Sequence, residues 1–310
     1  MAANGIQVDG LVKRFGETTA LGGVTFDAAP GEVLGLLGPN GAGKTTTVSI
    51  LATLLRPDAG SATVDGHDVV AAPAEVRRAI ALTGQFAALD EALTGVENLT
   101  LFGRLRGHSR SVARARADEL LERFDLVEAA DGRVSSYSGG MRRRLDLAAS
   151  LVDDVPILFL DEPTTGLDPR SRATLWDMVR DLQAEGRTII LTTQYLEEAD
   201  QLADRIVLID GGKVVVEGTP SDLKRAAGGQ SCVVQPVDPG RLDEVAKLLD
   251  DRGPLQVDHD LGTVTVPDTE AADLSAILQR LGQAGIEVAD LSLRRPTLDD
   301  VFLDLTGDSA

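Results

Sequence analysis

The sequence predicts an α/β protein. Its main domain is built on a mostly parallel sheet with an antiparallel part and a helical insertion, and a small α+β domain of βαββαβ order follows. Three observations predict this. Short apolar runs of strand length, Val33–Leu37, Ile157–Leu160 and Thr188–Leu191, recur between helical stretches, as buried parallel strands do. Between about 86 and 137 such runs stop and helical patterns replace them. Beyond Gly228-Gly229 the spacing changes to short strands separated by two amphipathic helices. The boundaries are expected at 1–228 and 229–310.

Each element has a local cause. Val33-Leu34-Gly35-Leu36-Leu37 is apolar on both faces and ends at a glycine turn, and Thr47–Leu55 continues as a helix. In the insertion, Thr94-Gly95-Val96-Glu97 matches a capping box and starts one helix, and Ser109–Phe124 reads as a second. Its arginines Arg104, Arg106, Arg110, Arg114 and Arg116 read as a solvated face, with a partner-docking surface as the alternative. Val207–Ile209 and Val214–Val216 flank Asp210-Gly211-Gly212-Lys213, which predicts a hairpin. Thr219-Pro220-Ser221-Asp222 starts a short helix through Ala227.

In the second domain, Ser231–Gln235 reads as a strand, and Leu242, Val245, Ala246 and Leu249 fall on one helical face of Arg241–Arg252. Leu255–Asp258 and Thr263–Val266 are strands. Leu274, Ile277, Leu278 and Leu281 mark the second helix over Thr269–Gln283, and Ile286–Leu293 the last strand. This order is that of a split βαβ, ferredoxin-like unit. Leu298, Val301, Phe302 and Leu305 predict an amphipathic tail helix.

Composition narrows the function. The 310 residues carry a formal net charge of −19, a field that repels nucleic acid and the anionic inner leaflet. No nucleic-acid partner is expected. Hydrophobic residues are 43% but aromatics only 3%, so aliphatic side chains must fill the core. The single cysteine, Cys232, is expected to be a free buried thiol in a reducing compartment. The N-terminus lacks a basic segment followed by an apolar stretch, and no apolar run approaches the ~18 residues that span a bilayer. Any membrane path must come from another chain.

The strongest motif is Gly38-Pro39-Asn40-Gly41-Ala42-Gly43-Lys44-Thr45, followed by Thr46. Its glycines let successive amides face one point, and a helix N-terminus adds partial positive charge there. Lys44 is expected to reach the β- and γ-phosphates and the Thr45 hydroxyl to ligate Mg²⁺. Ile157-Leu158-Phe159-Leu160-Asp161-Glu162 is a buried strand from whose end two carboxylates emerge. Asp161 is placed to hold the metal and Glu162 to take a proton from attacking water. By themselves such acids end many strands; downstream of a phosphate loop they acquire these roles. Tyr137-Ser138-Gly139-Gly140-Met141-Arg142-Arg143-Arg144 opens another helix with a second anion-binding turn, or is simply a capped helix with a basic first turn.

Together with Asp161-Glu162-Pro163 and Gly166-Leu167-Asp168, these motifs resemble, over about residues 5–225, the ATP-binding subunits of ABC transporters. The resemblance implies the P-loop NTPase fold of ABC type and binding of ATP and Mg²⁺. It implies that Phe15 stacks on adenine, that Gln85 ligates Mg²⁺ and senses the membrane partner, and that Asp168 crosses between subunits. Two departures stand out. Tyr137 and Met141 replace the ends of the usual Leu-Ser-Gly-Gly-Gln signature, and Gln194 stands where the family has a switch histidine. Glutamine hydrogen-bonds a phosphate but cannot carry the titrating proton that histidine can. His67, His108 and His259 lie elsewhere and are expected to be solvated or core residues. Gln194, the run Tyr137–Arg144 and the ending Arg294–Leu303 resemble the daunorubicin-resistance branch of export ATPases.

What this implies is an ATPase that works as a head-to-tail pair. Each ATP lies between 38–46 of one copy and Ser138–Gly140 of the other, with a self-complementary interface. A separately encoded transmembrane permease would export drugs or complex lipids, with this chain peripheral on the cytoplasmic face and its C-terminal domain stabilising or regulating the pair. The competing reading is a soluble, non-transport ABC ATPase of translation or DNA repair. A single phosphate loop, the short stretch between Lys44 and Ser138 and the negative charge weigh against it.

Overall fold

The structure is a computed structural model that describes residues 4–84, 89–226, 229–267, 269–294 and 296–301. It forms two compact units, 1–219 and 220–310.

In the first unit the chain runs β1 (Ile6–Phe15), β2 (Thr18–Ala28), β3 (Val33–Leu37), α1 (Lys44–Leu51), β4 (Ala59–Val64), β5 (His67–Asp68), α2 (Pro73–Ala79) and β6 (Ile80–Thr83). The helical insertion follows as α3 (Gly95–Leu105), α4 (Arg110–Arg123) and α5 (Gly139–Ser150). The chain returns through β7 (Ile157–Asp161), α6 (Pro169–Ala184), β8 (Thr188–Thr193), α7 (Leu196–Leu202), β9 (Arg205–Asp210) and β10 (Lys213–Gly218).

Two sheets result. One is antiparallel, in the order β2-β1-β4-β5. The other is six-stranded, β10-β9-β3-β8-β7-β6, parallel throughout except for the β9–β10 hairpin. The hairpin pairs Val214 with Ile209 and Val216 with Leu208 across a bulge at Val215. The parallel strands of the six-stranded sheet are buried on both faces, and their period-2 alternation divides the core. Ile157, Phe159 and Ile190 pack with α1 and the antiparallel sheet. Leu158, Leu160, Ile189 and Leu191 face the insertion and α6. The C-terminal ends of β3, β7 and β8 therefore emerge side by side, where open parallel sheets place ligands.

Helix starts follow local chemistry. The Thr94 hydroxyl accepts from Glu97 N–H and the Glu97 carboxylate from Thr94 N–H, completing the capping box. Ser109 caps α4 through Val112 N–H. The helix expected through Leu55 stops at Leu51 instead. Thr53 adopts φ 62°, and the Leu54 amide turns back onto the Ser49 carbonyl before Pro57, which cannot continue a helix. Of the arginines on the insertion, Arg114 pairs with Asp118 on a solvated face. Arg116 turns inward to the Leu151 and Val152 carbonyls, so the solvated-face reading fails for it.

The second unit contains α8 (Pro220–Ala226), β11 (Ser231–Pro236), α9 (Leu242–Leu249), β12 (Gln256–Asp258), β13 (Thr263–Val266), α10 (Asp273–Gln283) and β14 (Val288–Arg294). The short helix α8, expected at the end of the first domain, falls in this unit. Its sheet runs β12-β13-β11-β14, every pair antiparallel, which is the ferredoxin-like arrangement. Leu242, Val245 and Leu249 of α9 and Ile277 and Leu281 of α10 seal one face. The second helix begins four positions later than its apolar pattern predicts, because Thr269 is drawn into the preceding turn by hydrogen bonds to the Val266 and Pro267 carbonyls. Cys232 is a buried free thiol, and burial pushes its pKa up to about 11. A helical turn spans 298–301; Phe302 and Leu305 of the expected tail helix lie outside the described residues.

Candidate functional site

The loop after β3 is shaped by glycines that no other residue could replace. At Gly38, φ is 155° and a Cβ would sit 2.1 Å from the Ile209 carbonyl oxygen. At Gly43, φ is 109° and a Cβ would meet Leu21 Cδ2 at 2.6 Å. Between them Ala42 N–H closes a turn on the Pro39 carbonyl, leaving Asn40 and Gly41 at its tip. Helix α1 begins at Lys44, so the amides of Lys44, Thr45 and Thr46 have no acceptor within the helix. Lys44 is 4% exposed and its Nζ donates to the Gly38 and Pro39 carbonyls at 2.6 and 2.9 Å. Burial lowers its pKa, and the nearby Glu162 and Asp161 carboxylates oppose that shift. The ammonium thus stays inside the turn whose amides an anion would meet.

Tertiary structure brings the distant motifs together. The Thr45 hydroxyl lies 3.2 Å from Asp161 Oδ1 although 116 residues separate them. Glu162 follows at the end of β7 with φ 50°, and its carboxylate accepts from the Thr165 hydroxyl at 3.3 Å. Gln194 is half-buried directly beyond β8, the strand that pairs with both β3 and β7. Phe15, at the end of β1, is 50% exposed, with Lys13 Nζ 5.7 Å from its ring centroid. Gln85 lies outside the described residues.

Helix α5 begins at Gly139, and Ser138 caps it by accepting from Met141 N–H at 3.2 Å. That acceptor role leaves the hydroxyl proton to donate elsewhere, beside the Gly139 and Gly140 amides. The turn opens on a cavity of about 200 Å³ lined by Asp125, Ser138, Gly140, Met141, Arg144, Arg170, Ser171 and Thr174. None of these comes from 38–46. A larger cleft of about 510 Å³, whose lining includes Asn4, Ile6 and Pro30, contains none of the motif residues. Asp168 caps α6, accepting from Ser171 N–H and Oγ, and those bonds hold its carboxyl below the usual range.

The two departures from the usual signature are packing changes. Tyr137 is buried in the insertion core and its hydroxyl donates to the Ala129 carbonyl at 2.6 Å. Met141 packs partly buried against the same core. The polar Ser138-Gly139-Gly140 turn is therefore carried on a differently filled base.

Three polar residues at the site escaped sequence reasoning. Thr192 donates to Asp161 Oδ1 at 2.5 Å. Glu198 is fully buried, receives Trp176 Nε1–H at 3.2 Å, and its pKa is raised by burial. Arg143 bridges the Pro163, Gly84 and Asp161 carbonyls and the Asp146 carboxylate at 2.7, 2.8, 3.3 and 3.2 Å. The signals were polar residues inside apolar runs, and three consecutive arginines at the start of α5, whose different directions no spacing distinguishes. Arg143→Met should remove about 3 kcal/mol of stability, because Asp146 and three carbonyls lose a shared buried donor. Urea unfolding measures this; an unchanged midpoint would show the bridge to be dispensable.

The sequence profile of the family "ABC transporter" matches residues 21–165, and that of "ATP-binding protein DrrA1-3-like, C-terminal domain" matches 218–306. The chain is 56% identical to the daunorubicin resistance ATP-binding protein DrrA3 of Streptomyces coeruleorubidus, over 99% of its length and 98% of the relative's. The chain belongs to the ABC-transporter ATP-binding proteins of the daunorubicin-resistance branch. It is the ATP-binding and ATP-hydrolysing subunit of an export transporter. The doxorubicin resistance ATP-binding protein DrrA of Mycobacterium tuberculosis is 52% identical over 98% of this chain and 94% of that protein. The Nod factor export ATP-binding protein I of Paraburkholderia xenovorans is 43% identical over 97% of each. A solved ATP-binding subunit of an ABC transporter superposes with TM-score 0.63 at 30% identity, covering 71% of this chain and 92% of that one. A dimeric ATP-binding cassette in a post-hydrolysis state with ADP and Pi gives TM-score 0.63 at 26% identity, covering 69% and 98%.

Proposed function

We propose that two copies of this ABC ATPase close on two ATP molecules and hydrolyse them to drive a separately encoded permease. The observation that carries the hydrolytic site is the approach of the Thr45 hydroxyl to Asp161 at 3.2 Å, beside Lys44 and Glu162. Phe15 offers an exposed ring for adenine, and residues Gly38–Thr46 supply amides and one ammonium for the phosphates. Thr45 and Asp161 are hard oxygen donors that suit Mg²⁺, with Gln85 as a further ligand. Bound there, Mg²⁺ would neutralise phosphate charge. Glu162 accepts the proton of the attacking water, and Lys44 stabilises developing charge on the γ-phosphate. Gln194 donates its amide to that phosphate.

The partner copy supplies Ser138, Gly139 and Gly140. Their cavity has no lining from 38–46, and a solved relative of the same fold is itself a dimer. Asp168 lies next to that turn as the contact between subunits. Among the described residues no helix is long and apolar enough to cross a membrane. Attachment to the cytoplasmic face is through the permease. The C-terminal unit acts as an accessory domain that stabilises or regulates the pair. The relatives' names point to an anthracycline-like drug or a complex lipid as cargo. In inverted vesicles holding this chain and the permease encoded beside it, ATP should drive doxorubicin uptake, read as fluorescence quenching. Equal quenching with Lys44→Ala would contradict the coupling.

Gln194 makes a second expectation. Turnover should show no step near the ordinary histidine pKa of ~6.5 arising from the switch position, and Gln194→His should introduce one. A pH–rate profile decides; a step near that pH that disappears in Gln194→Ala would refute it.

A further inference from the structure

Thr192 is a polar residue in the middle of the core. It is 0% exposed, at the end of the apolar strand β8, and stands directly opposite Asp161 in the parallel register with β7. Its hydroxyl has one proton and lone pairs to use. The Glu162 N–H donates to Thr192 Oγ at 3.0 Å and, shared, to the Thr192 carbonyl at 3.1 Å. With that lone pair engaged, the hydroxyl turns its proton to Asp161 Oδ1, 2.5 Å away. The same carboxylate oxygen meets the Thr45 hydroxyl at 3.2 Å. Glu162 departs from this anchor in the left-handed region, with φ 50°, a conformation that costs a non-glycine residue roughly 1 kcal/mol and persists only where surrounding bonds hold it.

We propose that the Thr192 hydroxyl is the positioning group that sets both carboxylates of the hydrolytic site, orienting Asp161 toward the metal and fixing the backbone from which Glu162 projects. Thr192 touches neither substrate nor metal; it acts through Asp161 and Glu162. The inference rests on the reading of Asp161 as metal holder and Glu162 as base. It goes further in naming a hydroxyl that couples their positions. A valine in its place would keep the shape and leave the Glu162 amide its backbone acceptor, but would free the Asp161 carboxylate to rotate. Partners that orient a metal-holding carboxylate typically matter by about 10- to 100-fold in metal affinity or activity.

The test compares Thr192→Val, Thr192→Ala and Thr192→Ser in the full-length protein. Two readouts are used: kcat and KM for ATP at saturating Mg²⁺, and Mn²⁺ affinity by paramagnetic resonance with a non-hydrolysable ATP analogue. Val and Ala should each lower kcat about 10-fold and weaken Mn²⁺ about 10-fold, with KM for ATP within about twofold of the parent. Serine, which restores the hydroxyl without the methyl, should return both values to within about threefold. Parent-like Mn²⁺ affinity and kcat in Thr192→Val would overturn the proposal. So would a serine variant as impaired as valine, because the lost methyl packing would then be the cause. Asp161→Asn separates the two levels. Unchanged Mn²⁺ affinity there sinks the metal reading itself, whereas a large loss in Asp161→Asn with none in Thr192→Val sinks only the role of Thr192. Should the valine variant fold poorly by circular dichroism, the alanine and serine pair decides on the same criteria.

Discussion

Glu162→Gln is expected to lower ATP turnover by about 10³-fold while leaving ATP binding intact. The substitution preserves what the fold requires of this position. Glutamine keeps an acceptor oxygen for the Thr165 hydroxyl, and its amide still binds Thr192. It meets the same backbone cost at φ 50° as glutamate does. What is lost is the ability to take a proton, together with the negative charge beside Lys44. If closure of two copies precedes hydrolysis, the variant should accumulate as an ATP-bound dimer, visible as a doubled mass by light scattering when Mg²⁺ and ATP are present. Parent-level turnover in the purified variant, with contaminating ATPase excluded, would remove Glu162 from the role of base. Loss of turnover without any dimer would leave the base in place and refute the paired mechanism.

Gly139→Ala should give opposite signs for folding and function. Within its own chain a Cβ at Gly139 meets nothing nearer than Leu167 Cδ2 at 4.0 Å. The residue is the first of α5, and helices prefer alanine to glycine by up to ~1 kcal/mol. Stability should therefore hold or rise slightly. The space is needed only if something outside the chain approaches the backbone there, as a phosphate bound by the other copy would. Turnover should then fall about 10-fold or more, since donors aimed at developing charge lose effect when the ligand is held off. Gly140→Ala is the internal control. Its Cβ would lie 2.5 Å from Ser171 Oγ in the same chain, so it should lose stability as well as activity. Denaturant unfolding and phosphate release on the three proteins separate the cases. Full activity in Gly139→Ala would mean that no second molecule comes close to this turn.

The C-terminal unit and the insertion were legible for one reason and the site for another. Amphipathic spacing in Arg241–Arg252 and the capping box at Thr94 are local patterns, and local patterns survive into the fold. The phosphate loop was legible because its glycines answer a backbone demand that any reader of φ and sterics can state. Helix ends were less so. The α1 stop at Leu51 depends on a left-handed turn at Thr53 that no composition rule marks.

The linear order of residues was enough to establish the βαββαβ unit, the glycine turn with its lysine, the acidic pair ending a buried strand and the Ser-Gly-Gly helix start. The three motifs, and each strand and helix of that unit taken singly, are written within about ten consecutive residues, over which backbone geometry and hydrophobic period act directly. Only the tertiary structure decided that Thr192 lies against Asp161, that Arg143 is the arginine of α5 that reaches the Asp161 and Pro163 carbonyls, and that Tyr137 fills a core. Those assignments depend on which side chain is desolvated and which acceptor it meets across distant segments of chain. Burial and hydrogen-bond satisfaction set that outcome once the strands have paired, and no local spacing carries it.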